Sequence, residues 1–126
     1  MKLVDVHCHL ECDEFRESLD AVLSDARRAG LVKLVTASIT PGQWALSATL
    51  ARTFPEVECA WGVHPWRIQP GDESRLDGLS SAREAGVAAI GEIGLDRKIA
   101  SPDFDTQRRL FEAQLRAAVE LNLPVV

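Results

Sequence analysis

The sequence predicts an α/β fold with a parallel sheet covered by helices, on three observations. Strand-like and helix-like segments alternate four times, the strand-like segments are short continuous apolar runs, and polar residues gather just past their C-terminal ends. At 126 residues and 46% hydrophobic, the chain supplies the core of one domain, residues 1–126, and is too short for two.

Residues 2–7 read as a buried first strand. Helical spacing runs from Phe15 through Leu19, Val22, Leu23 and Ala26, and Gly30 closes that helix. The apolar run 31–37 is the second strand, after which Thr40, Pro41 and Gln43 supply an N-cap, a first-turn proline and a capping partner for the second helix. Residues 57–61 form the third strand. A loop over 62–71 follows, and Leu76, Leu79 and Ala82 mark the apolar side of a shorter helix ending near Gly86. The fourth strand spans 87–90. Ser101-Pro102 then opens a long helix, with Asp103 and Asp105 at the positive end of its dipole and Phe104, Phe111, Leu115, Ala118 and Val119 as its buried stripe. The stretch 123–126 (LPVV) reads as the start of a fifth strand.

Composition narrows the function classes. Lys and Arg number 14 against 19 Asp and Glu, a net charge of −5, so the bare surface repels polyanions and a phosphate-bearing substrate needs a local cationic device such as a metal. The three cysteines form no CxxC pair and read as reduced, small hydrophobes. No run approaches the roughly 18 apolar residues of a membrane span, and no signal peptide leads the chain, so a cytoplasmic protein without a membrane partner is expected.

The polar residues at strand ends carry the chemistry. In Asp5-Val6-His7-Cys8-His9, alternation places Asp5, His7 and His9 on one face and Val4, Val6, Cys8 and Leu10 on the other. Two imidazoles side by side on one strand bind a divalent ion, and a carboxylate nearby, Asp5, can orient a ligand ring through its N–H. The same pair reads equally as two hydrogen-bonded histidines with no ligand. Glu92, between Gly91 and Ile93-Gly94 at the end of the fourth strand, supplies a carboxylate where bulk is absent, and two histidines with a glutamate form a recognised catalytic zinc set. Its plain alternative is a carboxylate that caps a turn or pairs with Arg97. His64, in Gly62-Val63-His64-Pro65 after the third strand, is a candidate substrate-binding or proton-transfer group, or a residue that holds its loop. Asp96 is a candidate support for the ligands. Cys8 points away from the histidines and belongs to the core.

Taken together, residues 4–10 (VDVHCHL), Gly62-Val63-His64-Pro65, residues 91–96 (GEIGLD) and residues 121–125 (LNLPV) resemble the TatD family of metal-dependent deoxyribonucleases and hydrolases, in order and in register along the whole chain. That resemblance implies a (β/α)8 barrel of the TIM type, related to the amidohydrolases, of which this chain covers about the first four β/α units and the start of strand five. It implies His7 and His9 on one metal, Glu92 binding or bridging two, His64 facing the substrate, and divalent cations (Zn, Mg or Mn), two per complete site. DNA or another phosphodiester is the implied substrate, hydrolysed by a metal-activated water. In the family a histidine at the end of strand five, another on strand six and a late water-activating aspartate follow the Leu-Pro-Val stretch, so the general base is expected beyond Val126. Arg97 and Lys98 stand where many relatives carry aromatic residues.

Three alternatives stay open. A five-stranded flavodoxin-like open sheet also fits the length, although it normally ends on a covering helix. An amidohydrolase acting on an amide or lactone shares the HxH pair but typically places a modified lysine where Glu92 stands. A truncated, non-catalytic half barrel would bind metal or self-associate through its open strand edges.

Overall fold

The computed structural model describes all residues, 1–126. β1 (Leu3–Cys8), β2 (Leu31–Ala37), β3 (Val57–Trp61) and β4 (Ala89–Ile90) form one parallel sheet in the order β1-β2-β3-β4. Val125 bridges Ile90 in parallel, with Ile90 N–H donating to the Pro124 carbonyl at 2.9 Å and Val126 N–H to the Ile90 carbonyl at 3.0 Å, so a fifth strand begins beside β4. Each new strand therefore adds to the same edge. A flavodoxin-like sheet would place β1 between two neighbours, whereas here it pairs only with β2, and the winding is that of a barrel.

The first helix begins later than its apolar spacing predicts. Residues Asp13–Phe15 form a 3₁₀ turn in which Phe15 N–H reaches the Cys12 carbonyl and Ser18 N–H the Phe15 carbonyl, and α1 spans Leu19–Ala29. These i→i+3 bonds tighten the segment and delay the wider α-turn. Gly30 ends α1 in the left-handed conformation at φ 95°, where a side chain would also stand 2.7 Å from the Met1 carbonyl oxygen. The second helix starts as expected. Gln43 Oε1 accepts the N–H groups of Ile39 and Thr40 at 2.9 and 3.2 Å, and α2 runs Trp44–Thr53.

The third crossover departs from the predicted helix. Only Asp72–Arg75 (α3) is α-helical, and Leu76–Ser81 continues as 3₁₀. The apolar positions are nevertheless the expected ones, since Leu76, Leu79 and Ala82 are all buried. Their spacing of three residues matches the 3₁₀ repeat, whereas an α-helix would rotate the third of them away from the core. β4 is shorter than 87–90 because Val87 N–H turns back to the Ala82 carbonyl.

α4 spans Phe104–Leu121 with Asp103 as its N-cap, the carboxylate accepting Thr106 N–H at 2.9 Å, so Pro102 lies before the cap instead of in the first turn. Its buried stripe also differs from the predicted one. Gln107, Leu110, Gln114 and Ala118 face the core, Phe111 and Leu115 are half-buried, and Val119 is 80% exposed.

The main core packs α2, the 3₁₀ segment and α4 against β3 and β4 around Trp44, Trp61, Leu79, Ile90 and Leu110. Trp44 and Trp61 stack at 5.4 Å with planes 8° apart. Leu10, Leu23, Leu34, Leu50 and Val57 form a second cluster under α1. On the other face of the sheet, the cross-strand neighbours Ala37, Ala60 and Ala89 form a row of small side chains. Along β1, Val4 and Val6 are 55% and 67% exposed.

Cys8 packs against the second cluster, its thiol donating to the Val35 carbonyl at 3.4 Å, although a register shift between Asp5 and Cys8 interrupts the simple alternation and leaves Val4 and Val6 out of the core. Burial, then the charges of Asp5 and Glu11, push Cys8 up from 9.0 to about 12, and burial, then Glu58, pushes Cys59 up to about 11. Raised folded values mean that folding favours the protonated thiols, so their contribution is complete below pH 9.0 and is lost as pH rises towards 11 and 12. Melting temperatures are expected to fall across that window, and both thiols should resist iodoacetamide at about pH 8 in the folded chain. Alkylation mapping by mass spectrometry checks the second point.

Candidate metal centre

The ends of β1, β3 and β4 bring three imidazoles around one carboxylate. Glu92 Oε2 lies 3.1 Å from His7 Nε2 and 3.7 Å from His9 Nε2, while Oε1 lies 3.4 Å from His64 Nε2. The His7 and His9 rings are 5.1 Å apart and nearly perpendicular, and one donor atom from each of His7, His9 and Glu92 falls within 4.8 Å of the others. Arg97 takes no part, because its guanidinium stands 4.2 Å above the Phe104 ring. Glu92 is therefore not the Arg97-paired carboxylate that the plain alternative describes.

Backbone contact holds Glu92 in place. Gly91 N–H donates to the Trp61 carbonyl at 2.9 Å and Glu92 N–H to the Ser38 carbonyl at 3.1 Å. A Cβ on Gly62 would stand 2.6 Å from Gly91 C and 2.8 Å from Glu92 N, and one on Gly91 would stand 2.6 Å from the Val126 carbonyl oxygen. Only glycine allows the strand ends to approach this closely.

Each ring is oriented by a different partner. His9 Nδ1 lies 2.8 Å from the Ala37 carbonyl oxygen, which can only accept. The proton therefore resides on Nδ1, and Nε2 turns its lone pair towards Glu92 and His7. His64 is the reverse case. Its Nδ1 accepts Trp66 N–H at 3.1 Å, so the neutral ring carries its proton on Nε2, the atom facing Glu92. Burial lowers the His64 pKa below 6.5, opposed by Glu92 and assisted by Arg67, which favours that neutral, donating ring.

The two supporting carboxylates differ from expectation. Asp5 Oδ1 accepts the backbone N–H of His7 at 3.0 Å, and the ring-orienting contact found in the structure, on His9, comes from the Ala37 carbonyl. Asp96 touches none of His7, His9 and Glu92. It accepts the Trp66 indole N–H at 2.7 Å and Lys98 N–H at 2.7 Å, and the Lys98 bond first, then Trp66, holds it below the usual carboxylate range.

Two buried glutamines on α4 complete the frame. Gln114 Oε1 accepts Val63 N–H at 2.7 Å while its Nε2 reaches the Val63 carbonyl at 3.3 Å, fixing the residue before His64. Gln107 Oε1 accepts Asp96 N–H at 2.9 Å, and its Nε2 donates to the Pro102 carbonyl at 3.0 Å. Sequence reasoning missed both. Their signal is present nonetheless, because two glutamines seven positions apart flank Leu110 on one helical face.

The donor set fits a divalent cation. Ligand atoms around a tetrahedral zinc ion stand about 3.4 Å apart for bonds near 2.1 Å, and the observed 3.1 and 3.7 Å separations bracket that value. The family model for TatD related DNase matches residues 4–126. The chain belongs to the TatD family. An uncharacterized metal-dependent hydrolase of Escherichia coli (strain K12), YjjV, is 32% identical over 128 residues, covering 99% of this chain and 49% of that protein. Human deoxyribonuclease TATDN3 is 34% identical over 140 residues, covering 98% of this chain and 50% of its own. The crystal structure of YjjV matches with a TM-score of 0.86 at 31% identity, over 98% of this chain and 49% of that one. This TatD chain spans about half the length of the curated relatives it matches, and its fold is the corresponding half of their barrel.

Two variants test the frame. Gly62→Ala drives a methyl group into the Gly91–Glu92 backbone and is expected to weaken zinc binding at least about tenfold by calorimetry while costing roughly 1–3 kcal/mol of stability. Gln114→Leu leaves the buried Val63 N–H without its acceptor, and denaturant melts should show a loss of about 1–3 kcal/mol.

Proposed function

We propose that this domain belongs to a metal-dependent hydrolase of phosphodiesters, with a divalent cation held by His7, His9 and Glu92. The observation that carries the reading is the shared Glu92 carboxylate, within 3.1–3.7 Å of three imidazole nitrogens of which His9 Nε2 offers a lone pair and His64 Nε2 a proton. Nuclease names among the relatives support a nucleic-acid substrate. When bound, a divalent cation supplies polarisation of a phosphoryl oxygen and acidification of a water.

The chain's own residues supply the rest. The Ala37 carbonyl locks the His9 ring, Gly62 and Gly91 hold Glu92 beneath the histidines, and His64 aims an N–H donor at the same space to bind a phosphoryl oxygen. Two nitrogens and one oxygen suit zinc first. A second cation, for which magnesium or manganese are further candidates, would share Glu92, as the family resemblance implies. An amide- or lactone-cleaving reading is weaker, since Glu92 stands where that class typically places a modified lysine.

Calorimetric titration with zinc should find a site that the double change His7→Ala, His9→Ala abolishes. Unchanged stoichiometry and affinity in that variant would return the histidines to a structural role. Expressed alone, the 126 residues are expected to cleave oligonucleotides poorly, because the family resemblance places the water-activating aspartate later in the barrel. Robust metal-dependent cleavage would contradict this. With Val4 and Val6 exposed on β1, the same chain should self-associate, and a monodisperse 13.8 kDa species by light scattering would argue against it.

A further inference from the structure

We propose that Trp66 is a stacking platform for a nucleobase beside the metal centre. The proposal rests on the phosphodiesterase reading and extends it from the scissile group to the adjoining nucleotide. Trp44 and Trp61 are buried and stacked on each other, whereas Trp66 is 63% exposed. An exposed tryptophan beside a polar site is unusual, and this one is held rigidly. Its indole N–H is tied to Asp96, its backbone N–H to His64 Nδ1, and its ring stands 5.1 Å from the His64 ring at 83°. Both hydrogen bonds engage edge or backbone atoms of Trp66, and 63% of the residue stays exposed. A fixed, open aromatic face one residue past Pro65, next to an imidazole that donates into the metal centre, is the arrangement on which unpaired bases stack.

Charge around the platform agrees. Asp96 is bonded to the indole itself, and the cations that adjoin Trp66 and Asp96 in the chain, Arg67, Arg97 and Lys98, are exposed and make no ion pair within 4.0 Å. Arg67 follows Trp66 on the turn Pro65–Arg67, and Arg97 and Lys98 follow the Asp96 that anchors the indole. As neighbours of Trp66 and Asp96 in the chain, they are the cations available to the phosphates either side of a stacked base.

The test uses dye-labelled hexathymidylate and a strand of equal length and charge made of abasic sites, each titrated with the chain in EDTA and followed by anisotropy. Working without metal keeps the outcome separate from that of the zinc titration. The base-bearing strand is expected to bind at least about fivefold tighter, in line with roughly 5- to 160-fold per stacked base, and to quench tryptophan emission. Trp66→Ala should erase the preference and the quenching, while Trp66→Phe, which keeps an aromatic face, retains most of the preference. Arg67→Ala should weaken both strands alike and flatten their salt dependence. Equal binding of the two strands, binding of neither, or a Trp66→Ala chain that keeps its preference would overturn the proposal.

Discussion

The close approach of the β3 and β4 ends governs the rest of the rim. With no side chain on Gly62 or Gly91, the two backbones meet at distances that a methyl group would violate, and the carboxylate of Glu92 is delivered under His7 and His9. Strand ends in a parallel barrel converge in any case, but convergence alone leaves a glutamate free to swing. Here the Trp61 and Ser38 carbonyls accept the N–H groups of Gly91 and Glu92, so the sheet fixes the backbone from which the carboxylate projects. The row Ala37, Ala60 and Ala89 keeps bulk off the neighbouring sheet face.

One residue type does two jobs at this site because the backbone chooses its tautomer. A carbonyl acceptor at His9 Nδ1 and an amide donor at His64 Nδ1 leave opposite faces on the two Nε2 atoms, a lone pair in one and a proton in the other. Neither assignment needs a charged partner. The carboxylates that might have oriented these rings serve backbone and indole N–H groups instead, Asp5 at His7 and Asp96 at Lys98 and Trp66.

Strand positions were legible in the sequence because parallel strands write themselves as short apolar runs, and β2 and β3 match their predicted spans residue for residue, although β1, expected to be buried, is largely exposed. The convergence of His7, His9 and Glu92 was legible from side-chain alternation and from the glycines flanking Glu92. What the sequence concealed has a common cause. The His9 partner is a carbonyl, which every residue possesses, so nothing marks Ala37 in advance. Gln107 and Gln114 were hidden by a binary reading in which polar means exposed, although an amide that satisfies both its donor and its acceptor can be buried at little cost. The 3₁₀ crossover differs from an α-helix only in period, and three apolar positions are too few to separate 3.0 from 3.6 residues per turn.

His7 and Glu92 touch across 85 residues of chain. Contacts of such long range form only after the intervening β/α units are in place, since the entropy of closing that loop is repaid by nothing local. A cation bridging these side chains would act as a reversible cross-link between the first and fourth strands, drawing the folding equilibrium towards the native state in proportion to its free concentration. Occupancy of the centre would thus report on the integrity of the whole sheet, and a chain starved of metal would be exposed to proteolysis before it was exposed to substrate.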